Sequence, residues 1–246
     1  MSTAPVEPVV MPAMSAAQAA SWFGLMDLYE RLPHGWTLVG GQLVHLHCAE
    51  RGASPQRPTD DIDAVVDVRA HPIILVSFTQ VLLDLGFVPD TSGEGLQHRW
   101  RRADAQIDVL LPDGVGERTS DRPGAGGAPT LPTPGGTQAL ARSETVTVVV
   151  NGRTGGVLRP NLVGALVMKA SAHTAGGDTA RGRHRLDFVS LAALIAARDF
   201  RETPATTKDK QRLRTMAQAS RADDRAMGLP GAAGALKRLE RAAGLT

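Results

Sequence analysis

The sequence predicts an α/β or α+β fold: a mixed β-sheet core followed by a helical carboxy-terminal domain. Three observations lead there. Short β-branched runs alternate with helical patterns up to residue 159, only helical patterns follow Pro160, and three aspartates sit inside otherwise apolar strand-like segments. At 246 residues and 42% hydrophobic, the chain can bury a sizeable core.

Residues 1 to 14 read as a flexible amino-terminal tail, since their prolines and Glu7 interrupt any apolar stretch of the kind a secretory leader needs. Trp22, Leu25, Met26 and Tyr29 recur at helical spacing between Ser15, an acceptable cap, and Pro33. Thr37 to Val39 reads as a strand, Gly40-Gly41 as a tight turn, and Gln42 to His47 as a helix. Ile62 to Val68 is strand-like. Ile73 to Leu85 is helical and ends at Gly86, ahead of a short strand at Phe87-Val88. Leu96 to Trp100 and Ala105 to Leu111 are two further strands joined through the polar residues 101 to 104. Residues 112 to 139, rich in Gly, Pro, Thr and Ser, read as a mobile surface loop. Thr145 to Val150 is a strand, and Asn151-Gly152 supplies a hairpin turn of type I′. Helices are expected at 162 to 172, 188 to 197, 208 to 219 and 233 to 243. The domain boundaries are therefore 15 to 159 for the core and 160 to 246 for the helical part.

Composition narrows the chemistry. Cys48 is the single cysteine, so an internal disulfide is impossible and a cysteine-based zinc site is not expected. No run of about 18 apolar residues suggests a membrane span, and the expected setting is cytoplasmic. Net charge is +2, so nucleic-acid binding would rest on local clusters such as His98 to Arg102 and Arg181 to Arg185.

Asp61 and Asp63 flank Ile62 at the start of a strand, where alternation turns both carboxylates to one face. Such a pair gathers oxygen ligands for a hard cation; magnesium needs only a few carboxylates, because water and substrate phosphate complete its shell. Asp108, in Gln106-Ile107-Asp108-Val109-Leu110, repeats the pattern. An unpaired charge buried there is costly, which leaves an exposed strand end or a metal-bound position. Asp60 projects the other way and is excluded from the set.

Other residues gain meaning from these acids. Gly40-Gly41 can offer backbone amides to a phosphate near a helix start, although the chain has neither a dinucleotide-binding fingerprint nor a phosphate-loop motif. Arg57, in Arg57-Pro58-Thr59, can meet a phosphate or pair with Asp60. Lys169 can extend harmlessly from its apolar helix or present its charge to a triphosphate. His173 would share the face of Lys169 and reads as a structural histidine. Asp187 can cap the following helix or hold Lys169 toward the site.

Taken together, Val39-Gly40-Gly41, Arg57-x-Thr59-x-Asp61-Ile62-Asp63, Ile107-Asp108-Val109, Lys169 and Arg185 to Leu191 resemble the DNA-polymerase-beta-like nucleotidyltransferase superfamily. Within it they resemble the AbiEii/MenT-like toxin nucleotidyltransferase branch. The resemblance implies a nucleotidyltransferase core whose cleft is closed by the helical domain. It also implies a division of roles: Asp61, Asp63 and Asp108 on Mg²⁺, with Mn²⁺ as an alternative, and Gly40, Gly41, Arg57, Thr59 and Lys169 on the NTP. Asp187 would accompany Lys169. Gly41 stands where many relatives carry serine, and Leu186-Asp187 replaces a Lys-Asp pair. The implied reaction is transfer of NMP from an NTP, such as ATP, to an acceptor hydroxyl with loss of pyrophosphate. Transfer RNA is one acceptor class and an antitoxin one protein partner. A small-molecule (aminoglycoside-like) nucleotidyltransferase, a metal-dependent phosphatase or nuclease, and a noncatalytic nucleotide-binding protein are the alternatives. Aromatic stacking residues for RNA are scarce.

Overall fold

The computed structural model describes the backbone of residues 7 to 175 and 178 to 245, and the side chains over those ranges except 174 to 180. The chain begins with a two-residue strand, β1 (Val9–Val10), which pairs in parallel with Val148 and Val149. The flexible tail expected through residue 14 is therefore corrected from Val9 onward: Val9 and Met11 are buried, and their apolar side chains gain more from the sheet edge than from solvent. Helix α1 (Ala16–Arg31) starts in a reciprocal cap, in which the Gln18 amide donates to the Ser15 hydroxyl at 3.1 Å and the Ser15 amide donates to the Gln18 side-chain oxygen at 2.9 Å. Its Trp22, Leu25 and Met26 are fully buried, each worth about 1.5 to 3 kcal/mol of burial.

The main sheet follows. It takes β2 (Trp36–Val39), then, after α2 (Gly40–Glu50), β3 (Ile62–Val66). Helix α3 (Ile74–Asp84) leads to β4 (Val88–Asp90), β5 (Arg99–Arg102) and β6 (Ala105–Pro112). The strand order is β2-β3-β6-β5-β4, with β3 and β6 parallel and the other neighbours on this path antiparallel. This is the mixed sheet that the alternation of patterns predicts. The β5 to β6 turn is tighter than expected, because Arg101 and Arg102 continue the strand and Ala103 takes a positive φ of 48°.

Residues 112 to 139 correct the expectation of a mobile loop. They hold a short helix α4 (Glu117–Ser120), a strand β7 (Leu131–Thr133) parallel to β6, and a helix α5 (Gly136–Leu140) whose Ala139 is fully buried. Thr130 donates its hydroxyl to the Val109 carbonyl. The glycines here allow close approach: a Cβ on Gly135, φ +83°, would stand 2.6 Å from the Met168 carbonyl oxygen. Composition alone could not distinguish that use from flexibility.

Strands β8 (Ser143–Val150) and β9 (Arg153–Pro160) form a hairpin that β1 extends into a second sheet. Asn151 and Gly152 have φ of 47° and 83°, the two positive values a type I′ turn requires. Beyond Pro160 come helices α6 (Leu162–Ala175), α7 (Asp178–Ala193), α8 (Ala197–Glu202), α9 (Thr207–Arg221), α10 (Asp224–Met227) and α11 (Ala232–Ala243). In α11 the buried Ala232, Ala235, Leu236, Leu239 and Ala243 form one stripe, as helical periodicity demands. Helix α7 packs against α2, α6, α9 and α11, so it joins the helical half to the first turn after β2. Among the described residues no helix is long and apolar enough to cross a membrane.

Candidate metal and nucleotide site

Sheet register assembles the acids. Asp63 and Asp108 are directly paired positions on the parallel strands β3 and β6, and Asp61 immediately precedes β3 on the same face as Asp63. One oxygen from each of Asp61, Asp63 and Asp108 lies within 4.8 Å of the others. Asp60 is exposed and outside this group. Burial pushes the Asp63 carboxyl up to about 7, the charges of Asp61 and Asp108 push the same way, and Lys169 and Arg57 oppose them.

This donor set fits a hard divalent cation. It is all oxygen, it converges from two adjacent strands, and one of its carboxylates is unfavourably charged in isolation. A doubly charged ion would relieve that repulsion.

The glycine turn sits against the acids. Val39 pairs with Asp63 across β2 and β3, so Gly40 follows directly over Asp63. Gly40 has φ +71°, and a Cβ there would overlap the Asp63 carboxylate, so only glycine fits. Gly40 and Gly41 open α2, among the described residues no side chain caps this helix, and both glycines line the same cleft as Asp61 and Asp63. Uncapped first-turn amides favour an anion.

The cleft, about 240 Å³, is bounded on its far side by Leu110, Thr133, Pro134, Met168 and residues of α6 and α7. Lys169 lines it, but its ammonium is engaged: Nζ donates to the Gly40 carbonyl at 2.9 Å and to Asp187 Oδ2 at 2.7 Å. Asp187 also accepts Arg57 Nε at 2.8 Å and Nη2 at 3.0 Å. Burial works to raise the Asp187 carboxyl, yet Lys169 and Arg57 outweigh it and hold it below the ordinary carboxylate range. Two sequence expectations are corrected by this arrangement. Asp187 is interior to α7, nine residues past its first turn start at Asp178, so it is no N-cap. Arg57 pairs with Asp187 and not with Asp60.

The two arginine-rich runs are largely paired internally. Arg99 holds both oxygens of Asp108, from Nε at 3.2 Å and from Nη2 at 3.1 Å; Arg101 faces Asp90 and Arg102 faces Asp27. Arg185 pairs with Asp223, whereas Arg183 is exposed and lines the cleft beside His184. Sequence reasoning passed over His45, whose Nε2 bonds to the Arg57 carbonyl at 2.8 Å, and over Arg99 as a partner of Asp108. Strand alternation could have suggested the second, since an arginine one turn of hairpin away from Asp108 is a natural neighbour. Nothing local to His45 marks it.

No protein-family model matches the sequence, and comparison with curated proteins finds no match. Among solved structures the chain is similar to an antigenic nucleotidyltransferase-like protein from Paracoccidioides brasiliensis. The identity is 17% and the TM-score 0.51, over 92% of this chain and 94% of that one. The likeness is one of fold: that protein shares the mixed α/β architecture with carboxy-terminal helices. It does not reach the toxin branch.

Proposed function

We propose that the protein is a metal-dependent nucleotidyltransferase that moves NMP from an NTP to an acceptor hydroxyl and releases pyrophosphate. The observation that carries this reading is the convergence of Asp61, Asp63 and Asp108 beneath the uncapped Gly40-Gly41 turn in one cleft. Asp61, Asp63 and Asp108 would hold Mg²⁺ or Mn²⁺. Bound there, such a cation supplies Lewis-acid polarisation of the phosphate and eases deprotonation of an attacking hydroxyl.

The chain's own groups do the rest by position and charge. The amides of Gly40 and Gly41 receive phosphate oxygens. Lys169 steadies that turn through the Gly40 carbonyl and adds positive charge to the cleft wall, with Asp187 and Arg57 fixing its place. Thr59 lines the same cleft. Asp108, oriented by Arg99, takes the proton of the acceptor hydroxyl or shares the cation.

The acceptor we place first is an RNA end such as that of transfer RNA, supported by the exposed Arg183 at the cleft. The toxin branch, with an antitoxin partner and a cytoplasmic setting, is the biological reading that accompanies it. Small-molecule hydroxyls are the second arm of the test. Incubation with each α-labelled NTP, Mg²⁺ or Mn²⁺ and either total RNA or an extract depleted of RNA would place label in one fraction. Label in neither fraction, with Mg-NTP still bound, would leave a noncatalytic nucleotide-binding protein.

A further inference from the structure

Thr59 lies outside the cation cluster, yet its contacts are unusually complete for a loop residue. Its backbone carbonyl accepts Gln18 Nε2 at 2.7 Å from α1 and Gln42 Nε2 at 2.6 Å from α2. Gln42 is 1% exposed, and its side-chain oxygen accepts the Trp22 indole N–H at 3.1 Å, which fixes which way the amide faces. The Gln18 amide is fixed in turn by the reciprocal cap at Ser15. From this anchored backbone the Thr59 hydroxyl donates to Asp61 Oδ1 at 2.7 Å.

The Thr59 side chain fills the space beside Gly41. A Cβ on Gly41 would stand 2.6 Å from Thr59 Cγ2 and 2.9 Å from both Cβ and Oγ1, closer than real contacts allow. Gly41 has no positive φ to explain it, so its need for glycine comes from Thr59.

Asp61 is only half-buried and sits beside two other carboxylates, so repulsion and solvation both favour rotating it outward. A single hydroxyl proton committed to Oδ1 opposes that rotation and leaves Oδ2 free. We propose that Thr59 is a positioning residue for Asp61: the chain Trp22–Gln42–Thr59 fixes the carboxylate before a cation arrives, and glycine at position 41 is what admits Thr59. This inference rests on the cation-site reading above. Groups that orient a metal ligand commonly change metal affinity about 10- to 100-fold when removed.

The test is Mn²⁺ binding without nucleotide, followed by the electron paramagnetic resonance signal of free Mn²⁺, on the full chain. Thr59→Val keeps the bulk beside Gly41 and loses the donor; it is expected to weaken Mn²⁺ binding about 10-fold or more, and Thr59→Ser to restore it. Thr59→Ala is a second loss of the donor with no added bulk, so the outcome does not depend on one variant folding. Gly41→Ala should weaken binding, and adding Thr59→Ser should recover part of it, because Cγ2 makes the closest clash. Asp61→Ala separates the two levels. If it binds Mn²⁺ as the unaltered protein does, the cation-site reading falls. If it loses binding while Thr59→Val and Thr59→Ala retain it, the positioning role is overturned and the cation site stands.

Discussion

Lys169 Nζ lies 2.7 Å from Asp187 Oδ2, and each side chain is 3% exposed. The pair joins α6 to α7 and, through Arg57 and the Gly40 carbonyl, ties the helical half of the chain to the turn that overlies the acids. Its members are unequal. Asp187 serves two cations, so Asp187→Asn strands both, whereas Lys169→Met leaves Asp187 still paired with Arg57. Removing one partner of a buried pair costs about 3 to 5 kcal/mol. Asp187→Asn should fall in that range in urea denaturation, and Lys169→Met should cost less. Equal losses would contradict the shared-acceptor arrangement.

Gly40 and Gly52 separate two reasons for glycine. Both have positive φ, +71° and +64°, but a Cβ at Gly52 meets open space while one at Gly40 overlaps Asp63. Gly52→Ala should cost only the left-handed strain, about 1 to 2 kcal/mol, with activity kept. Gly40→Ala should abolish transfer. Active Gly40→Ala protein would remove the turn from the site.

Arg99 gives Asp108 two hydrogen bonds, and Gln106 adds a third at 3.3 Å. Arg99→Met should lower kcat about 10-fold or more with little change in melting temperature, because Arg99 is one-third exposed. An unchanged kcat would restrict Arg99 to the surface.

How far these relationships were legible in the sequence depends on the distance over which each acts. Asp61 and Asp63 were readable because strand alternation is local, and Ser15 because a helix cap is. Arg57 and Asp187 are 130 residues apart and meet only through tertiary packing, so Asp187 read equally well as a cap. The glycines of residues 112 to 139 resembled a loop because close packing and flexibility use the same residue type. β1 was missed because two valines carry no period, and their pairing is dictated by an exposed edge of β8.

Acid should destabilise the fold through His184. Among the described residues its buried Nδ1 has no hydrogen-bond partner, and burial followed by the Lys169 charge pushes the imidazole down from 6.5 to about 4. Arg183 and His173 act the same way, and Asp187 opposes them. With the folded value depressed, the unfolded chain takes the proton first. This contribution is complete above pH 6.5 and is lost as pH falls toward 4. At about 1.4 kcal/mol per pH unit, the loss from pH 6.5 to 5 is about 2 kcal/mol. Asp63, raised to about 7, takes up its proton in the folded state first and works the other way, so the readout is the difference: as pH falls across that window the urea midpoint of the unaltered protein should drop relative to that of His184→Gln. Parallel curves for the two proteins would refute the assignment.

A paired incubation with α-labelled and γ-labelled NTP, comparing the unaltered protein with Asp63→Asn, separates nucleotidyl transfer at the three aspartates from every other fate of the NTP. NMP transfer predicts α-label in the acceptor, γ-label in released pyrophosphate, and neither with Asp63→Asn. Transfer of the γ-label, release of inorganic phosphate as the sole product, or undiminished α-labelling by Asp63→Asn would contradict it.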